Sequence, residues 1–407
     1  MFEINKKYWL YIFPYIYYCN KREKALLYNT LTGETIETDK PSVIDLLLSM
    51  HERKNLGALV CEGSFFMQND VSEFITEFCE KKMGNIADMD ILLEKPIQLM
   101  PVLNLQCDID KKRDFETDIL QNLLELNFHI SNECSQACHY CNKYFRQTHC
   151  CSTNISRQKG SLDISTIKNV LSQIQYGVVG KINILGGNIL LYPNLLQLKS
   201  VLEDFNDIVH FYIHYNNFDK NDILNIFHTE LIVNFPINKY VFNEALAGIN
   251  KEKSTIHFII ENEEEYAQVE QITEKYNISK YTIKPFFNEQ NIGFFKNNIF
   301  IDKEDLSGKP LQMREIFINQ KINSYHFGVL HILQDGSVKA NSNTKTLGNI
   351  KKDKIMDLIY KEMLENTAWR KIRDSQPCID CVYQWLCPSP SNYERAIGKP
   401  NLCHIKV

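Results

Sequence analysis

From residue 126 onward the chain alternates between two apolar rhythms. Short runs of strand character at 126–130, 181–185, 209–214, 231–235, 255–260 and 281–286 are separated by stretches whose apolar residues recur at helical spacing. The clearest helix covers 161–175, where Ile164, Ile167, Val170, Leu171 and Ile174 share one face, and 194–202 and 263–276 read the same way. Strands separated by helices of this length need crossover connections, so the pattern predicts a parallel sheet. Six such units predict a partial barrel rather than a closed eight-stranded one.

Both flanks break that rhythm. Before it, 25–33 and 34–38 predict two short strands around a Thr-Gly turn, and Lys40-Pro41 introduces a helical pattern from Val43 to Leu48. Val71, Phe74, Ile75 and Phe78 mark a second helix, completing a small α+β unit that ends near Asp114. After about Asn288, runs 329–333 and 337–340 flank Gln334-Asp335-Gly336, and Asp-Gly supplies the positive φ angles that tight hairpins need. A helix over 353–365 follows. The expected division is therefore an N-terminal α+β domain at 1–114, an α/β partial barrel at 115–290 and a cysteine-rich extension at 291–407.

A chain of 407 residues is long enough for two or three domains. Its net charge of −5, with lysines spread along the chain, announces no polyanion-binding surface, so nucleic acid is not an expected partner. Met1 to Pro14 lacks the apolar core of a signal peptide, and no stretch approaches the roughly 20 apolar residues of a membrane span. The expectation is a cytoplasmic protein without a membrane partner.

Thirteen cysteines are more than packing needs, and they cluster. Cys134, Cys138, Cys141, Cys150 and Cys151 form one group, and Cys378, Cys381, Cys387 and Cys403 another. Clustered thiols in a reducing compartment read as metal ligands rather than disulfides. Cys19, Cys61, Cys79 and Cys107 are isolated, which predicts small buried residues. In Cys134-Ser-Gln-Ala-Cys138-His-Tyr-Cys141, three thiolates on one loop can hold three irons of a [4Fe–4S] cluster and leave the fourth open. The alternative is a zinc site completed by Cys150, Cys151 or His149.

This C-x3-C-x2-C spacing after the first strand of an α/β chain, with the aromatic Tyr140 before the third cysteine, resembles the radical S-adenosylmethionine (SAM) superfamily. The resemblance implies a partial (β/α)6 barrel whose open iron chelates SAM, with one-electron reduction giving a 5′-deoxyadenosyl radical. Gly186-Gly187-Asn188-Ile189 is similar to that family's Gly-Gly-Glu-Pro segment, which meets the methionyl amino group of SAM. Asn188 and Ile189 replace the Glu-Pro pair, so the segment brings no negative charge to the ammonium. Asn216, after the third strand, stands where such proteins place ribose contacts. These positions make Tyr140, Gly186, Gly187, Asn188 and Asn216 the expected cofactor contacts, while no residue is singled out as catalytic.

Cys378-x2-Cys381-x5-Cys387, with Cys403, resembles the SPASM domain of peptide-modifying radical SAM enzymes. It implies one auxiliary [4Fe–4S] cluster, although four thiolates suit a structural zinc equally. Asn341 and Ser391 occupy positions where a full SPASM domain has further cysteines, so two auxiliary clusters are not expected. The C-terminal part is also similar to pseudo-radical-SAM/SPASM proteins of double-glycine-leader peptide systems. The function implied is a radical SAM maturase of a ribosomally synthesised precursor peptide, with an electron donor such as flavodoxin or ferredoxin. The alternative is a catalytically impaired homologue that binds the precursor peptide or a partner maturase. More loosely, the N-terminal unit resembles the fused domain that captures a leader peptide as an added strand.

Overall fold

The computed structural model describes residues 2–99, 119–136, 138, 141, 145–151, 160–307 and 310–406. Tyr140, Cys107 and the boundary expected near Asp114 lie outside the described residues.

The N-terminal part holds two three-stranded antiparallel sheets. Strands β1 (Lys7–Ile12), β5 (Ala58–Glu62) and β6 (Gly84–Asp88) form one in the order β5-β1-β6. The other runs β2 (Ile16–Lys21), β3 (Lys24–Asn29), β4 (Thr35–Thr38). The expected pair around the Thr-Gly turn is β3 and β4, with Gly33 at φ 81°. Helix Pro41–His51 starts with proline, whose fixed φ suits the first turn. Helix Asn69–Glu80 turns Val71, Phe74, Ile75 and Phe78 into the same core. Cys79, expected to be buried, is exposed because it follows Phe78 by one helical step of about 100°, off the apolar stripe.

The large sheet has nine strands in the order β12-β11-β10-β9-β8-β7-β13-β14-β15. Six of them, β7 (Glu125–His129), β8 (Lys181–Leu185), β9 (Val209–His214), β10 (His228–Asn234), β11 (Ser254–Ile260) and β12 (Tyr281–Pro285), are parallel and adjacent in chain order. A helix lies between each consecutive pair: Ile164–Ile174, Leu195–Leu202, Asp222–Ile226, Lys239–Gly248 and Glu263–Lys275. On the far side of β7, β13 (Val329–Ile332) pairs in parallel and leads through an antiparallel hairpin to β14 (Ser337–Lys339) and β15 (Gly348–Asn349). The fold is thus mixed α/β around a parallel-rich sheet.

The two faces of this sheet differ sharply. Leu126, Phe128, Ile182, Ile184, Phe211, Ile213, Leu231, Val233, Ile256 and Phe258 alternate onto the helix-covered face and form the main core. Parallel strands covered on both faces normally read as continuous apolar runs. Here the alternate positions include Asn127, His129, Asn183, His210, Tyr212, His214, Glu230 and His257 beside the apolar Leu185, Ile232 and Ile259, and of these all but the mostly buried His210 are fully buried. Buried polar side chains need partners, so this second face must be organised by hydrogen bonds or line a site. Among the described residues, no helix is long and apolar enough to cross a membrane.

Candidate functional site

The loop carrying Cys134, Cys138 and Cys141 leaves the carboxyl end of β7, where open α/β sheets build ligand sites. Its position is set by β8. The Gly186 and Gly187 amides donate to the Cys151 carbonyl at 2.8 Å each, and the Asn188 amide donates to the Glu133 carbonyl at 2.8 Å. Gly187 sits at φ 68°, and a Cβ there would lie 2.5 Å from the Glu133 oxygen and 2.9 Å from the Cys134 Cβ. Only glycine lets the cysteine loop approach this closely.

The expected cofactor contacts have local work as well. The Asn188 side chain accepts from the Leu190 amide and caps the turn Ile189–Leu191, while Ile189 is fully buried in the main core. Apolar packing thus accounts for isoleucine where the resemblance would place proline. Asn216 donates to the Gln136 side chain at 3.3 Å. Its neighbour Asn217, which sequence reasoning missed, accepts from Gln136 Nε2 at 3.1 Å and donates to the Cys134 sulfur at 3.4 Å. Both asparagines therefore hold the cysteine loop.

The thiols gather beneath that loop. Hydrogen bonds with Cys138 and Cys150, reinforced by Arg146, hold the Cys141 thiol well below the usual thiol range. Arg146 is buried and donates to the Cys141 carbonyl at 2.9 Å, and its backbone is tied to Asn343 beyond β14. Leu185, Tyr212, Ile232, Ile259 and Phe286, from the ends of five strands, make an apolar floor with Cys150 and Cys151. Sequence reasoning favours a surface loop for the His149-Cys150-Cys151 run and gives no role to Arg146; instead Cys150, Cys151 and Arg146 are all buried, because the run packs under the ends of the parallel strands.

Below this floor lies the polar layer. Glu230 accepts from His210 Nδ1 at 2.6 Å and from His257 Nε2. His257 Nδ1, left as the acceptor, faces the Thr282 hydroxyl at 2.6 Å. Glu125 receives His149 Nε2 at 3.2 Å, Asn127 at 3.0 Å and Asn183 at 2.9 Å. Burial alone would raise the Glu125 carboxyl, but these partners bring it down to about 2. Burial also lowers His326 to about 4 and His331 to about 3, so both imidazoles are neutral. The Asn183 Oδ1 is buried without a protein partner, as expected where a water or ligand group enters.

Lys284 shares this layer, donating to the His149 carbonyl at 3.3 Å, and burial lowers its ammonium to about 8. Between about pH 8 and 10.5 the unfolded chain then binds the extra proton at this site, so the Lys284 contribution to stability rises with pH across that window. Lys284→Met is expected to abolish the rise and to add about 1–2 kcal/mol at pH 7. Urea unfolding at pH 7 and pH 10 checks both, and a variant with the wild-type pH slope would rule out Lys284 as its source.

The second thiol group also assembles. Cys378, Cys381, Cys387 and Cys403 lie within one another's electrostatic reach. Cys19, from β2, packs into the same cluster as Cys381 and Cys387. The two expected gaps are built into polar structure. Ser391 caps helix Asn392–Ile397 in a capping box with Glu394, which pairs with buried Arg373 at 2.8 Å. Asn341 donates to Asn392 at 2.9 Å. These groups border a cavity of about 390 Å³ that also reaches His149, His326 and His331.

Among the described residues all twelve cysteines are free thiols, and no three His, Cys, Asp or Glu side chains converge as a single-ion site requires. A [4Fe–4S] cluster instead takes one thiolate on each iron, and the three spaced cysteines form a donor set of that kind. For SAM the fit is narrower. An ammonium group needs acceptors, and with the Asn188 Oδ1 already accepting from the Leu190 amide the segment offers mainly backbone carbonyl oxygens.

No family model matches the chain, and no curated protein sequence matches it. Solved structures do, and these neighbours are of the class that the cysteine motifs resemble. Among them is SuiB of Streptococcus suis. SuiB bound to precursor peptide SuiA shares 14% identity, with 98% of this chain and 99% of that chain covered at a TM-score of 0.48. SuiB bound to S-adenosylmethionine shares 12%, with 98% and 99% covered at 0.41. A further SuiB structure shares 14%, with 97% and 100% covered at 0.46.

Proposed function

We propose that this chain is a radical SAM maturase of a ribosomally synthesised precursor peptide. Its frame would be a partial (β/α)6 barrel at 115–290, with a peptide-recognition unit at 1–114 and a SPASM-like region at 291–407. One observation carries the reading: three cysteines spaced for a cluster stand at the carboxyl end of a parallel sheet, above a buried face of paired polar side chains. Cys134, Cys138 and Cys141 would hold a [4Fe–4S] cluster, and Gly186, Gly187, Asn188, Asn216 and Tyr140 would contact SAM. Cys378, Cys381, Cys387 and Cys403 would hold an auxiliary cluster or a zinc ion. Such a thiol set needs a reducing compartment, which fits the cytoplasm.

When bound and reduced by a flavodoxin or ferredoxin, the cluster and SAM supply a carbon radical that abstracts hydrogen. The chain's own residues do the rest. Leu185, Ile232, Ile259 and Phe286 exclude water beside the cysteines. The Thr282–His257–Glu230 chain of hydrogen bonds can hold a polar peptide group, and the Lys284 ammonium, still mostly protonated at neutral pH, can donate to it.

A second reading, a peptide-binding homologue that does not turn SAM over, draws on Asn188, whose oxygen is committed to a cap, and on the missing carboxylate. Anaerobic reconstitution with iron and sulfide, then dithionite and SAM, separates the two by chromatography of 5′-deoxyadenosine. Product from the wild type, falling to background in the Cys134→Ala/Cys138→Ala/Cys141→Ala variant, is the expected result. Iron-loaded wild type that never cleaves SAM would overturn the enzyme and leave the binding homologue.

A further inference from the structure

The vicinal pair Cys150 and Cys151 has no part in the function just described, yet it is the most buried portion of the thiol group, at 6% and 3% exposure. The two sulfurs are 3.8 Å apart, and both lie in the apolar floor against which Cys138 and Cys141 pack. Their duties differ. The Cys151 carbonyl receives the Gly186 and Gly187 amides, so its backbone clamps β8 to the cysteine loop. The Cys150 thiol instead hydrogen-bonds to Cys141, as the Cys138 thiol does. Cys134 lies within electrostatic reach of Cys141 and Cys151.

Cys150 therefore packs in the same apolar cluster as Cys138 and Cys141, two of the three spaced cysteines. A [4Fe–4S] cluster has four irons, each with one outer position, and the three spaced cysteines fill three of them. Cys150, packed against Cys138 and Cys141, is a further donor beside them. It is held by buried packing, while the usual carboxylate partner of a SAM ammonium is absent at Asn188.

We propose that Cys150 is a displaceable fourth ligand of the cluster held by Cys134, Cys138 and Cys141, closing the iron at which SAM would chelate. This rests on the iron–sulfur reading of that loop. On closure the thiol releases its proton to solvent as the iron–sulfur bond forms. SAM entry breaks that bond: its ammonium gives up a proton as the amino and carboxylate groups take the position, and the departing thiolate takes one up, so the exchange is proton-neutral. No electron is transferred in either direction. The buried guanidinium of Arg146, 4.0 Å from the Cys141 sulfur, offsets part of the charge of the thiolates in the closed state.

The test compares the full-length wild type, Cys150→Ala, Cys151→Ala and the triple cysteine variant, each loaded anaerobically with iron and sulfide and reduced with dithionite. At the SAM concentration that half-saturates Cys150→Ala, its electron paramagnetic resonance spectrum should shift while those of the wild type and Cys151→Ala do not. Equilibrium dialysis should show SAM binding about tenfold tighter in Cys150→Ala, as removal of a dominant closed state requires. Equal shifts and equal affinities would overturn the proposal. If the wild type and the triple variant hold the same iron, the iron–sulfur reading itself fails, an outcome distinct from a three-ligand cluster that admits SAM freely.

Discussion

Glu230→Gln is expected to lower the stability of the fold by about 2–4 kcal/mol at pH 7.5, because a buried carboxylate accepting two imidazole N–H groups is replaced by an amide that can accept from only one. The amide nitrogen would face the second ring's N–H, donor against donor. Burial by itself pushes the Glu230 carboxyl up, but the bonds from His210 and His257 bring it far below its ordinary value of 4.5. Burial also lowers His257 from 6.5, so that ring is neutral and the contact is a charge-assisted hydrogen bond. The signs follow. A depressed carboxyl contributes stability above about pH 4.5 that is lost as pH falls through its folded value. A depressed imidazole costs stability as pH falls below about 6.5, since the unfolded chain takes the proton first. Wild type should therefore weaken in two stages on acidification, and Glu230→Gln should keep the first and shrink the second to what Glu125 and other depressed carboxyls contribute. Urea unfolding at pH 7.5 measures the loss and its continuation down to about pH 2 follows both stages; a variant within about 0.5 kcal/mol of wild type at pH 7.5 would show that the polar face is not held by this carboxylate.

That polar face also marks where sequence reasoning stopped. The six parallel strands were legible because the main-core positions, such as Leu126, Ile182, Phe211 and Ile256, repeat with strand period between helical stretches. Their neighbours were not, since His228, Thr229 and Glu230 look like loop residues until two histidines from adjacent strands satisfy the carboxylate. The strand observed at His228–Asn234 therefore begins three residues before the expected one. β1 and β2 were missed for a related reason: Lys7–Ile12 and Ile16–Lys21 mix aromatics with lysine and lack clean alternation. At the site, the spacing of Cys134, Cys138 and Cys141 and the Gly186-Gly187 pair could be read directly. Asn217, Arg146 and Cys150 could not, because their roles depend on chain crossings such as the one from Asn217 to Cys134.

Gly187→Ala is expected to leave the sheet folded and to remove iron binding at the first cysteine group. Alanine at φ 68° costs about 1–2 kcal/mol in backbone strain alone. The larger effect is steric, since the new methyl would sit 2.5 Å from the Glu133 carbonyl oxygen and 2.9 Å from the Cys134 Cβ. Both obstacles belong to the cysteine loop rather than to a flexible side-chain tip, so the loop has to move. Moving Glu133 also breaks its bond from the Asn188 amide and carries Cys134 away from Asn217. A total cost of about 2–4 kcal/mol would fall within the range of overpacking combined with a strained backbone. Gly186 provides the control: a Cβ there meets the Ile130 side chain at 2.9 Å and the Ser131 amide at 3.1 Å, upstream of Cys134, and its own φ is unexceptional. Anaerobic iron loading of both variants reads the difference. Gly187→Ala should bind little more iron than the triple cysteine variant, while Gly186→Ala should keep more of it. Full iron uptake by Gly187→Ala would mean that the three cysteines do not need the register that β8 imposes on their loop.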